Sequence, residues 1–114
     1  GLVAEHAHVD AVFDALGDAT RRRLFAADAS AGPITATELA GDLPVTRQAV
    51  TKHLVVLADA GLVTATRSGR EKRYEAVPDA LDEARVWLDD VGRRWDARLR
   101  ALRRHLQNRP ISDG

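Results

Sequence analysis

Apolar residues follow a helical period along most of this chain and give way to a two-residue period only once. Val9, Val12, Phe13 and Leu16 keep a helical spacing that stops at Gly17. Asp18 is placed to cap a second helix running through Arg21 to Arg23, Leu24 and Phe25 towards Ser30, and Gly32-Pro33 ends it. Thr35-Ala36-Thr37-Glu38 has the form of a capping box, in which the hydroxyl accepts from the third helical amide and the carboxylate reaches back. That third helix is short, because Gly41-Asp42-Leu43-Pro44 follows within a few residues. Thr46 caps a fourth helix whose Val50, Leu54 and Leu57 form a buried stripe and whose end is marked by Gly61.

The period then changes. Leu62–Thr66 and Lys72–Val77 are rich in Val, Thr and Tyr with Ser68-Gly69 between them, which predicts a short β-hairpin with a basic tip. Pro78 introduces a long last helix, acidic at its start (Asp79, Asp82, Glu83) and rich in arginine towards its end, as the helix macrodipole favours. On it Leu81, Ala84, Leu88, Val91, Trp95, Leu99, Leu102 and Leu106 recur at steps of three or four. Such a stripe is roughly 38 Å long at 1.5 Å per residue. The preceding residues build a body with a radius of gyration of only about 11–12 Å, so one subunit covers the stripe incompletely. A second copy is expected to bury it, helped by the first helix, with Val9, Val12, Phe13, Leu88, Val91, Trp95, Leu99 and Leu102 at the seam. The competing possibility is a helix whose far end frays in solvent.

With 114 residues and 45% apolar content the chain has one domain's worth of core, expected over 1–107 with a flexible tail at 108–114. Seventeen basic residues balance seventeen acidic ones, which excludes a uniformly basic chromatin-type protein. The charge is nevertheless segregated. Residues 1–20 carry Glu5, Asp10, Asp14 and Asp18 and no basic side chain. Residues 46–75 carry Arg47, Lys52, Arg67, Arg70, Lys72 and Arg73 against Asp59, Glu71 and Glu75. A basic sector on a neutral molecule suits a specific anionic partner. Residues 79–90 are acidic and 93–109 basic, and both runs are read as solvated helix faces.

The absence of cysteine removes disulfides, thiolate catalysis and cysteine-rich zinc sites. No apolar run approaches the roughly 18–20 residues of a membrane span and no signal-peptide pattern opens the chain, so no membrane association and a cytoplasmic location are expected. Gly1 stands first and there is no methionine, so the natural start is expected to have been removed. There is no Gly-rich phosphate loop, nucleophile elbow or catalytic carboxylate pair, so no enzyme activity and no cofactor are expected.

A short helix, a tight turn, a capped helix with polar outward positions and a basic hairpin make a winged helix-turn-helix: a mostly α fold with a small β-hairpin. A major groove admits one α-helix, whose N-terminal residues meet base edges. With Val50, Leu54 and Leu57 inward, Arg47, Gln48, Thr51 and Lys52 project outward. Gln48 suits bidentate pairing with adenine, and Arg47 or Lys52 suits guanine or phosphate. The Thr46 and Thr51 hydroxyls suit phosphate, aided by the helix dipole. His53 stands between phosphate contact and packing beside Leu54. Arg67, Arg70, Lys72 and Arg73 crowd the hairpin turn, where arginine can enter a minor groove or clasp its phosphates. An ordinary solvated turn explains the same charges when the hairpin is taken alone.

Asp18-Ala19-Thr20-Arg21, Thr37-Glu38-Leu39-Ala40, Val50-Thr51-Lys52-His53-Leu54, Leu57, Ala60-Gly61-Leu62-Val63 and Gly69-Arg70 with Tyr74 resemble the ArsR/SmtB-type family of bacterial repressors, over about residues 9–106. The resemblance implies a homodimeric winged-helix repressor, paired through its first and last helices, that binds palindromic operator DNA. It carries recognition positions to Gln48, Thr51, Lys52 and His53, and wing positions to Gly69 and Arg70. Asp28 departs from the pattern, since relatives often have an apolar residue there, and it leaves the packing of the second helix open. Metal-sensing relatives carry a Glu-Leu-Cys-type motif in the third helix, where this chain has Glu38-Leu39-Ala40. Residues 78–104 contain no histidine, and Trp87 with Trp95 resembles the subgroup that senses no metal. Two alternatives remain: a metal-responsive repressor using His6 and His8 of Glu5-His6-Ala7-His8, and a winged-helix protein-interaction module that does not bind DNA.

Overall fold

A computed structural model describes residues 2–41 and 43–108, with side chains from residue 7 onward. It divides into two compact units, Gly1–Ala84 and Arg85–Gly114. The elements run α1 (Leu2–Leu16), α2 (Ala19–Ala31), β1 (Ile34–Thr35), α3 (Ala36–Ala40), α4 (Arg47–Asp59), β2 (Val63–Ser68), β3 (Glu71–Ala76) and α5 (Asp82–Asn108).

Local chemistry accounts for most helix boundaries. The Asp18 carboxylate accepts from the Arg21 amide at 3.0 Å, and Thr46 Oγ1 accepts from the Ala49 amide at 3.1 Å. Thr35 and Glu38 complete the capping box in both directions. The carbonyls left free at the end of α1 are met from the next helix: Arg21 Nε donates to Ala15 O at 2.7 Å, and Arg22 donates to Leu16 O. Cations at the negative pole of α1 also answer its dipole. Gly61, at φ +78°, releases the chain from α4 into β2 through a left-handed conformation that costs glycine little.

Three features differ from expectation. Ile34–Thr35 forms a third strand, antiparallel to β3 with Ile34 opposite Tyr74 and Thr35 opposite Arg73, which gives the sheet order β1-β3-β2. Two residues are too few to show a period, and their partners lie some forty positions away. The hairpin is longer than its apolar content indicates: Ser68 pairs with Glu71, so the turn is Gly69-Arg70 alone. Gly69 has φ +63° while Arg70 does not have positive φ, the pattern of a II′ turn with glycine first. Lastly, α5 begins at Asp82 and not at Pro78, because residues 78–81 form turns. At its other end Asn108 is helical, and the rest of the expected tail lies outside the described residues, as does Asp42 of the turn after α3.

The core of the first unit joins Val12 and Ala15 of α1, Leu24 of α2, Leu39 of α3, Val50, Leu54 and Leu57 of α4, Leu62, Val63 and Tyr74. Truncating a fully buried leucine such as Leu54 to alanine costs about 2–5 kcal/mol. One member of this interior is charged in kind. Asp28 on α2 is 0% exposed, and among the described residues neither carboxylate oxygen has a donor at full hydrogen-bond geometry, the Ala76 amide approaching it only loosely. Desolvation raises its pKa to about 6, offset in part by the Ala76 amide and reinforced by the Glu75 charge. The register explains why that amide faces Asp28. The two-residue turn makes Ser68 and Glu71 a hydrogen-bonded pair, and alternation then leaves Val63–Ala76 non-hydrogen-bonded. The Ala76 N–H therefore points to the β1 side, where β1 has already ended.

In the second unit, the helical period puts Leu88, Val91, Trp95, Leu99, Leu102 and Leu106 of α5 on one face. Trp95 is 61% exposed, and Leu88, Leu102 and Leu106 are more than half exposed. At 27 residues α5 is about 40 Å long. Among the described residues no helix is long and apolar enough to cross a membrane.

Candidate nucleic-acid interface

The three buried residues of α4 fix the direction of all the others. With Val50, Leu54 and Leu57 fully inward, Gln48 and Lys52 point away from the core, while Arg47 and Thr51, one turn apart, occupy one flank. Arg47, Gln48, Thr51 and Lys52 together line one shallow surface depression. His53 falls on the opposite flank, half-buried. There it lies close enough to the Asp18 carboxylate to help the Arg21 amide and guanidinium hold that group below its ordinary pKa.

The wing is sorted by strand alternation. Val63, Ala65 and Arg67 share a face of β2, and opposite them stand Ala76, Tyr74 and Lys72 of β3. On this face Val63 and Tyr74 are buried in the core, and further out the same face carries Arg67 and Lys72 into solvent beside α4. Between α4, the start of α3 and the wing lies a cleft of about 630 Å³ lined by Arg47, Thr51, Arg67, Arg70, Lys72 and Tyr74, with Thr35, Ala36, Thr37, Glu38 and Glu71 on its rim and floor. The structure thus brings Arg47 and Thr51 together with three of the four wing cations. Gly69 forms the turn that presents Arg70, and the Lys72 ammonium lies 5.8 Å from the Tyr74 ring centroid.

Several expected contacts change on this geometry. Arg73 lies on the other face of β3, where it pairs with Glu71 at 2.8 Å and Glu38 at 3.6 Å. Its charge is answered within the subunit, because alternation turns it away from Arg67 and Lys72. The Thr51 hydroxyl donates to Arg47 O at 3.0 Å, so its proton is occupied and it offers only lone pairs. Thr46 is the reverse: its oxygen accepts from Ala49 and its proton is available to a phosphate. Val12, expected at the seam between copies, is 1% exposed within one subunit and has almost no surface to contribute. Val9 and Phe13 are half-buried. Of the two histidines considered as metal ligands, His8 is exposed, and the His6 side chain lies outside the described residues. The two carboxylates at the cleft were not anticipated. The capping box identified Glu38, but nothing local announced that a strand residue would join it.

A helix-turn-helix domain family matches residues 16–65. The HTH-type transcriptional regulator YuzN of Bacillus subtilis is 48% identical over 67 residues, covering 54% of this chain and 73% of the relative. Among solved structures, an ArsR-like transcriptional regulator from Rhodococcus sp. RHA1 superposes with a TM-score of 0.73 at 37% identity, over 93% of this chain and 97% of that one. The homodimeric winged helix-turn-helix DNA-binding domain of Mb0332 from Mycobacterium bovis, a possible ArsR-family regulator, superposes with a TM-score of 0.60 at 25% identity, over 79% of each chain. Sequence, fold and helix-turn-helix geometry agree, and the chain belongs to the ArsR-like family of winged helix-turn-helix transcriptional regulators.

Proposed function

We propose that this regulator binds operator DNA as a homodimer and represses transcription there, with Gln48, Arg47 and Lys52 of α4 reading the major groove and Arg67, Arg70 and Lys72 clasping the adjacent backbone. The observation that carries this reading is the cleft, because it places cations from α4 and from the wing along one surface. Phosphate contacts from such cations supply affinity and register, while base contacts from the helix supply specificity. Thr46 adds a free hydroxyl proton at the positive end of α4.

The homodimer is supported by the exposed stripe on α5 and by the dimeric Mycobacterium bovis domain. In this reading Leu88, Val91, Trp95, Leu99 and Leu102 meet a second copy, with Val9 and Phe13 of α1 at the margin. Residues 1–107 then work as one DNA-binding and dimerisation domain, acting in the cytoplasm without a catalytic step or cofactor. Two-fold symmetry requires an inverted repeat, and a dimer that engages one face of the duplex puts its half-sites about 10–10.5 base pairs apart, centre to centre. Footprinting on the DNA upstream of the chain's own gene tests the reading. Two protected segments one helical turn apart are expected, and no protection at low ionic strength overturns it.

A further inference from the structure

Arg73 sits where three elements meet. Its guanidinium contacts Glu71 of its own strand and Glu38 of α3. The same Glu38 Oε1 accepts from Thr35 Oγ1 at 2.9 Å and from the Thr35 amide at 3.4 Å, and Thr35 is the β1 residue directly opposite Arg73. One carboxylate therefore ties the capping box of α3 to the strand that carries the wing. The Arg73 side chain opens onto a separate depression of about 190 Å³ with Pro33, Thr66, Ser68 and Glu75, and it is not among the residues lining the cleft.

The wing needs such a tie. A two-stranded hairpin is marginally stable by itself, and β1 braces β3 only at Arg73 and Tyr74. Beyond those residues, the Glu71–Arg73–Glu38 arrangement links the outer hairpin to α3. We propose that Arg73 is a positioning residue for DNA binding: it sets the wing against α3, and so sets Arg67, Arg70 and Lys72 relative to Arg47 and Gln48, without itself touching nucleic acid. This rests on the operator-binding reading. Each ion pair is partly exposed, and such pairs move an equilibrium by roughly two- to fivefold.

Charge and position make opposite demands on Glu38, which allows a clean test. Glu38→Gln removes a negative charge from the cleft, so direct electrostatics demands tighter DNA binding. Glutamine still serves the capping box but loses the ion pair with Arg73, so positioning demands weaker binding. The experiment measures fluorescence anisotropy of a labelled duplex of about three helical turns from upstream of the chain's own gene, across a salt series. Arg73→Ala and Glu38→Gln should each weaken binding roughly two- to fivefold, and the double variant should be no weaker than Arg73→Ala alone. Their slopes of log K against log salt should match the unsubstituted protein, whereas Arg70→Ala should lose about one unit. Glu38→Gln binding as tightly as the parent or more tightly, or Arg73→Ala losing a unit of slope, overturns the proposal. Hydrogen exchange provides a second readout without DNA: amides of β1 and β3 should exchange faster in both variants, with those of α4 unchanged. Unchanged protection in β1 and β3 also overturns it. A protein that binds no duplex would sink the operator reading, and exchange would still decide the role of Arg73.

Discussion

Arg67 and Lys72 stand directly opposite each other across the hairpin, both exposed and both cationic. Their position between hydrogen-bonded pairs makes them a non-hydrogen-bonded pair, the kind whose side chains approach most closely. Facing like charges destabilise a hairpin, so the free subunit carries a cost that an anionic partner relieves.

Replacing Arg67 by threonine should therefore separate stability from binding. Thermal or denaturant unfolding should show a gain of about 0.2–1 kcal/mol, because the repulsion is gone and threonine suits a strand. DNA affinity should fall, and the salt slope should drop by about one unit. A variant that loses stability and keeps its slope would remove Arg67 from the interface.

Gln48 points away from the buried line of α4 and is exposed. Gln48→Ala should cost on the order of 1–3 kcal/mol on the cognate site and relax preference at one base position. Binding to a panel of single-base operator variants checks this. Equal weakening on every sequence would mean a backbone contact instead.

The buried Asp28 carboxyl gives a pH dependence with a defined sign. Its pKa of about 6 in the folded protein lies above the usual carboxylate value near 4, so the folded state keeps a proton that the unfolded chain has released. Stability from this group is fully present below pH of about 4, falls as pH rises to about 6, and is lost above that, a change on the order of 3 kcal/mol. Asp28→Asn should flatten this part of the profile and raise stability at neutral pH, as read by urea denaturation between acidic and neutral buffers. A variant less stable than the parent at neutral pH would show that the carboxylate has a partner it needs.

Leu102 and Val12 make opposite predictions although both are apolar helix residues. Leu102 is 52% exposed, so Leu102→Asp should leave the subunit folded, yield monomers in sedimentation and abolish tight operator binding. Val12 is buried in the subunit's own core, so Val12→Asp should unfold the subunit. A persistent dimer in the Leu102 variant would place the seam elsewhere.

Side chains acting within four residues of themselves were legible in advance. The Asp18, Thr35 and Thr46 caps and the inward line Val50–Leu54–Leu57 needed only local spacing, and they alone fix where Gln48 and Lys52 point. Contacts that join distant segments were not legible. Ile34 and Thr35 become a strand only because β3 is beside them, and Arg73 reads as one more wing cation until β1 and α3 bring Thr35 and Glu38 to it. Val12 shows the same limit from the other side, since an apolar stripe does not say whether its own subunit or a second copy will cover it.

From residue order alone come the helices, their caps, the basic hairpin and the polar outward side of α4, because helix and strand periods and capping are properties of neighbours in sequence. Tertiary structure decided the third strand, the cleft between α4 and the wing, the burial of Asp28 and the engagement of Arg73. Each of these depends on groups roughly twenty to fifty residues apart in sequence, and only the packed chain sets the distance between them.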